Sequence, residues 1–216
     1  APKIAWLVAA VGYATHAPLD ICTSYGTQYF WPFTDWRLAV DWIGIIDLFY
    51  SVPLLIGWWL AARRKSARPA LIGLAIASVY LAISGWQHHR AEVAQAELAK
   101  QRGHTIERSR AMPSPFTLMM WRSVYEADGH FYADAIRVPY LFGEATIYDG
   151  GSVKALSREE LLSRFPRGSP QAEDIETFHW FADQWLYWDP RKPHSVGDFR
   201  YSALPNDTAA LWGIQL

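Results

Sequence analysis

The hydrophobic positions of the chain gather in three runs, all within the first 87 residues. Residues 4–24 predict one helix, in which Ala9, Ala10, Gly12 and Ala14 offer small surfaces for close packing. Pro18 removes one backbone donor from it, and Gly26 is its stop signal. Trp42–Ala62 is the second run and carries one charge, Asp47. Pro69–Trp86 is the third and carries none. Each of these two has about the 20 residues that cross hydrocarbon. The aromatic stretch 25–37, with Tyr25, Tyr29, Phe30, Trp31, Phe33 and Trp36, suits a headgroup layer.

Beyond Trp86 the pattern changes. Residues 88–102 are rich in Ala, Glu, Leu and Lys, so they extend the third helix into water, with Gly103 as its C-cap. Pro113-Ser114-Pro115 marks a boundary. Leu118–Tyr125, His130–Ile136 and Ala145–Tyr148 read as strands, the first two joined as a hairpin through Ala127-Asp128-Gly129. Ser157 caps a short helix with an acid three residues on. Residues 178–188 fit a strand or a short helix equally, and 197–201 and 209–214 read as closing strands. The fold class is therefore α-helical transmembrane, with about three helices, followed by a small α+β extracytoplasmic domain. Its divisions are a membrane domain over 1–87, a connecting helix over 88–110 and the α+β domain over 111–216.

Charge supplies the orientation. Arg63, Arg64, Lys65 and Arg68 fill the short link between the second and third runs, so the positive-inside rule places that link in the cytoplasm. Loop 25–41 and everything after Trp86 then lie outside. The net charge of −1 gives no basic footprint for nucleic acid. The 12 Trp and 11 Tyr suit membrane interfaces. Cys22 is the single cysteine, which excludes an intramolecular disulfide and a Cys-based zinc cluster. The start at Ala-Pro-Lys shows no signal-peptide pattern, and the natural chain is expected to begin earlier. No phosphate-binding Gly-rich loop and no GxSxG elbow occurs.

The candidate chemistry sits in 16–51. His16 and Asp20 stand one helical turn apart, with Thr23 near the same face. Such a pair can share a divalent metal, or form a plain hydrogen bond. Asp47 is expected six residues, about 9 Å, into the second helix, where a carboxylate needs a partner or a wet cavity. Asp41 is either a ligand or the N-cap of that helix. His88 and His89 leave the third run on the same side, as interface residues or as a further ligand or base. The histidines at 130, 179 and 194 read as structural or surface residues, and Asp198 and Arg200 as a local ion pair.

His16-Ala-Pro-Leu-Asp20, Thr23-Ser-Tyr-Gly-Thr27, Trp31-Pro-Phe33, Asp41-Trp42 and Ile45-Ile-Asp47 together resemble the YdjM family of bacterial inner-membrane proteins, described as membrane-bound, metal-dependent hydrolases. Pro113-Ser-Pro115, Trp121-Arg122, Asp128-Gly129 and Asp198-Phe-Arg200-Tyr201 resemble the domain that follows the membrane helices in many members. The resemblance implies that His16, Asp20 and Asp47 are the catalytic centre. It maps His16 and Asp20 onto the family's HxxxD motif and Asp41 and Asp47 onto its two later acids; the expected divalent ion, zinc first, is held by His16, Asp20 and Asp47, with Asp41 or a histidine of the 88–89 pair, His88 first, completing the shell. It also implies an upstream motif with two further histidines, expected before Ala1. Leu48 stands where members often have Pro, and Pro18 interrupts the HxxxD turn. The activity so implied is hydrolysis at the outer face of the cytoplasmic membrane, on a lipid or a lipid-linked ester or phosphoester, with membrane lipid as partner. The alternatives are a non-enzymatic membrane protein whose α+β domain binds a partner, or a transport or lipid-binding accessory.

Overall fold

Pro2–Ile21 form α1, Leu48–Arg64 form α2 and Arg68–Gln101 form α3. The computed structural model describes residues 2–216, which fall into two compact units. The first comprises residues up to His89 together with Met112–Met119, and the second comprises Arg90–Ala111 and Met120–Leu216. α3 belongs to both as a single unbroken helix. The expected extension of the third run past Trp86 is thus present, and Gly103 ends it with φ +75°.

Within the first unit, α1 and α3 are long and apolar enough to cross a membrane. The 17 residues of α2 make about 26 Å, slightly under the hydrocarbon thickness. Its packing on α3 is unusually close. A Cβ at Gly57 would stand 2.8 Å from the Pro69 carbonyl oxygen, and one at Gly73 would stand 2.5 Å from that of Pro53. Only glycine lets the backbones approach this far, the device that membrane helices use in place of a water-driven core.

The start of α2 departs from expectation. Apolar character begins at Trp42, but helix begins only at Leu48. The backbone at 40–43 is otherwise engaged: Val40 N–H donates to Ile21 O at 2.8 Å, and the N–H groups of Trp42 and Ile43 donate to Cys22 O at 2.9 and 3.0 Å. These bonds satisfy the carbonyls left over at the C-terminal end of α1. Asp41 therefore does not cap α2. It is buried, with a left-handed φ of +54°, inside this returning segment. Asp47 is the cap, and so stands at the beginning of the helix rather than within it.

In the second unit Arg108–Pro113 (β1), Met120–Ala127 (β2), His130–Arg137 (β3) and Thr146–Lys154 (β4) form an antiparallel sheet in sequence order. Asp128 and Gly129, both at positive φ, make the tight turn between β2 and β3. Alternation along these strands gives each face its own partner. Trp121 and Ile136, opposite each other, pack with Ala91 of α3, while Tyr125 packs with Ala99. On the other face Phe131 meets the rings of Trp185 and Phe199, at 5.0 and 5.4 Å between centroids.

Arg158–Leu162 (α4) is capped by Ser157 as expected, and Pro170–Phe181 (α5) is capped by Ser169. Leu186–Trp188 (β5), Ser195–Asp198 (β6) and Gly213–Gln215 (β7) form a second antiparallel sheet. Residues 178–188, which fit helix or strand by pattern, hold the end of α5 and then β5. The closing strands are shorter and shifted from the expected 197–201 and 209–214. β1 falls where the hydrophobic pattern predicts no strand.

Candidate functional site

The C-terminal turn of α1 sets the first part of the site. His16 Nε2 lies 3.3 Å from Asp20 Oδ2, with side chains 70% and 45% exposed. The i,i+4 spacing puts both on one face. Thr23 Oγ1 donates to the Asp20 carbonyl at 2.8 Å and closes the end of the helix. The chain then folds back on itself. Thr27 and Leu38 exchange both backbone hydrogen bonds, at 2.8 and 2.9 Å, so that 28–37 projects as an aromatic loop. Gly26, at φ +86°, makes the turn, and a Cβ there would press on Arg37 at 3.1 Å.

Asp47 sits where this return meets α2. One carboxylate oxygen, Oδ1, accepts from the N–H groups of Phe49 and Tyr50, at 2.9 and 3.1 Å. The other, Oδ2, accepts from the hydroxyl of Tyr80 on α3, at 2.7 Å. The residue is 5% exposed. A carboxylate offers about four acceptor positions, and among the described residues three of them are filled here. Trp42 is fixed to α3 as well: the Ser84 hydroxyl donates to its carbonyl, and its indole lies on Gly85, where a Cβ would be 3.0 Å away.

A cleft of about 360 Å³ joins these parts. Asp20, Thr23, Tyr25, Thr27, Asp47, Tyr50 and Ser51 supply its polar lining. Two of the expected site residues, Asp20 and Asp47, thus open onto one cavity, with His16 paired to the first of them. Asp41 and His88 are not among the lining residues. The hydroxyls of Tyr50, Ser51 and Tyr80 belong to no motif in the sequence. Tyr80 had a signal, since it is one of the few hydrogen-bonding side chains in the 69–86 run.

As a metal centre, this donor set is incomplete. An imidazole and a carboxylate 3.3 Å apart suit two positions around a divalent ion. Among the described residues no three His, Cys, Asp or Glu side chains gather as a full set would. Asp47 already accepts three bonds, from the helix start and from Tyr80.

Residues 1–91 match the family described as YdjM inner membrane protein. No curated protein matches the chain, and no solved structure does.

Proposed function

We propose, from the membership of residues 1–91 in the YdjM inner membrane protein family, that the cleft at the end of α1 and the start of α2 is the metal-dependent hydrolytic site of a membrane protein. One observation carries this reading: Asp20, whose carboxylate lies 3.3 Å from His16, and Asp47 line the same cavity. His16 and Asp20 would supply two of the ligands, and Asp47 faces the same cleft without completing, among the described residues, a three-residue set with them. When bound there, zinc supplies Lewis acidity toward an ester or phosphoester oxygen. Tyr50 and Ser51 stand ready to donate hydrogen bonds to a substrate oxygen. Asp41 and His88, like His16, are not among the lining residues, and His16 reaches the lining through its contact with Asp20.

The proposal includes a topology. α1, α2 and α3 all cross the membrane, and Arg63, Arg64, Lys65 and Arg68 hold the α2–α3 link on the cytoplasmic side. The cleft and the second unit then lie on the outer side of the inner membrane. A cleft at that level, beside an aromatic loop, faces headgroups, which supports a lipid or lipid-linked substrate.

A second reading has its own observation. Asp47 caps α2 and ties it to Tyr80, a purely structural use of the acid. Under that reading the protein has no catalytic role, and its second unit binds a partner.

Metal content separates the two. Full-length protein, stripped with chelator and reloaded with zinc, should retain the ion after gel filtration. The double variant His16→Ala/Asp20→Ala should lose it, and Asp47→Asn, which keeps a good N-cap, should bind it more weakly. Equal zinc in all three proteins would overturn the metal site and leave the structural reading.

A further inference from the structure

The loop between β3 and β4 carries a feature that the cleft does not use. Tyr140, Leu141 and Phe142 are exposed by 49, 69 and 87%. Three consecutive large apolar side chains at a loop tip are unfavourable in water, where an isolated one would be unremarkable. The loop is held at its neck. Arg90 Nη1 donates to the Pro139 carbonyl at 2.6 Å, and Nη2 donates to the Gly143 carbonyl at 2.9 Å. Gly143, at φ +116°, supplies the turn that brings the two ends together.

The anchor determines the level of the loop. Arg90 lies four residues, about 6 Å, beyond Trp86 on the same continuous helix. Trp86 ends the apolar run, where an indole marks a membrane interface. Helical side chains also lean toward the N-terminus of their helix, which for Arg90 is the membrane side. The guanidinium, and the loop neck it grips, therefore sit within a turn of the interface.

We propose that Tyr140-Leu141-Phe142 is a membrane-dipping tip that inserts into the headgroup–acyl boundary of the leaflet from which α3 emerges. Its partner is the lipid surface. Burial of about 5–10 Å is the usual depth for apolar groups held at such a boundary. The proposal rests on the reading of α3 as a membrane span, and does not depend on metal or hydrolysis.

The test uses full-length protein in phosphatidylethanolamine/phosphatidylglycerol vesicles, in a Cys22→Ala background with one environment-sensitive fluorophore per protein. The label goes on Phe142→Cys, on Val79→Cys in the apolar part of α3, or on Asp174→Cys on the exposed side of α5. Quenching is read with nitroxide-bearing lipids and with aqueous iodide. The label at 142 should be quenched by lipids with a shallow nitroxide, with an iodide quenching constant several-fold below that at 174. Iodide quenching equal to that at 174, with 79 quenched by lipid, would overturn the inserted loop while leaving the span intact. Shielding from iodide without lipid quenching would mean a protein cover, and also overturns it. Absence of lipid quenching at 79 would remove the span and the proposal together.

Discussion

In the second unit the side chains hidden from solvent include Trp121, Tyr125, Phe131, Ile175 and Leu186, and the exposed ones are mostly charged or polar. In the first unit the hidden residues include Asp41, Asp47, Ser84 and Gln87, while Leu55, Trp58, Leu71 and Val79 face outward. The contrast identifies the solvent each was built for. A water-soluble unit removes apolar area from water. A unit in hydrocarbon gains little by that, and instead must hide its polar groups and satisfy each one. Two buried acids show the difference at single-residue scale. Asp198 is saturated: it takes the Arg200 side chain at 3.0 and 2.8 Å, the Arg200 N–H at 3.1 Å, and the Trp212 indole at 3.4 Å. Asp47 accepts three hydrogen bonds among the described residues and lines a cavity. The first acid is fully occupied within its own unit, whereas the second caps a helix at the edge of a cleft.

The largest effect should come from the most committed polar group of the second unit. Arg122 is buried and donates to five carbonyl oxygens, those of Phe199, Arg200, Leu204, Pro205 and Asp207, at 2.8 to 3.3 Å. Burial pulls its guanidinium down to about 10, yet the carbonyl cage keeps the side chain where it is. Arg122→Met fills the volume but strands those acceptors, each at about 1–3 kcal/mol where water cannot reach. The second unit should lose its near-UV circular dichroism at a temperature well below the wild-type transition. Arg158→Met, which removes an exposed pair with Glu176, should leave the transition unmoved. Similar curves for the two variants would show that segment 199–207 is held by something other than Arg122.

In the first unit the corresponding weak point is packing. Gly73→Leu drives a side chain into the Pro53 carbonyl and the Gly57 backbone, with a cost of about 1–3 kcal/mol for overpacking. Gly12→Leu on α1 meets nothing within 4 Å and serves as the control. Thermal unfolding in detergent micelles should begin earlier for the Gly73 variant alone. If both behave as wild type, the α2–α3 contact is not the seam that joins the first unit.

What could be read beforehand divides along the same line. The Asp128-Gly129 turn, the Ser157 cap, the Gly103 stop and the Asp198–Arg200 pair are local devices, and sequence spacing states them directly. The His16–Asp20 contact is legible for the same reason. The start of α2 is not, because hydropathy cannot separate Trp42–Ile46 from the helix that follows. Those residues are irregular because their N–H groups serve the end of α1, a contact across 20 residues. The hold of Tyr80 on Asp47 is equally non-local. β1 was hidden by its charges, since Arg108 spends its guanidinium on the carbonyls of Asp183 and Gln184 and on Glu126. Cleft membership thus depends on contacts made by the return of the chain, which no single motif encodes.

The smallest expected effect concerns the outer edge of the 199–207 segment. Asp207 is gripped twice: its carbonyl takes Arg122, and its carboxylate takes Arg191 at 2.6 and 3.0 Å. The Arg191 guanidinium holds the Asp207 carboxyl below the usual carboxylate range. A depressed carboxyl contributes its stability above the ordinary Asp value, about 3.9, and loses it as pH falls through the folded value. Arg191 is largely exposed, so solvent screens most of the attraction. Between pH 6 and pH 3 the melting temperature of the second unit should therefore fall slightly more steeply in wild type than in Arg191→Gln, and the two curves should converge at the acid end. Parallel curves would assign the hold on Asp207 to Arg122 and the backbone alone, leaving the unit clasped from within and indifferent to the charge at its rim.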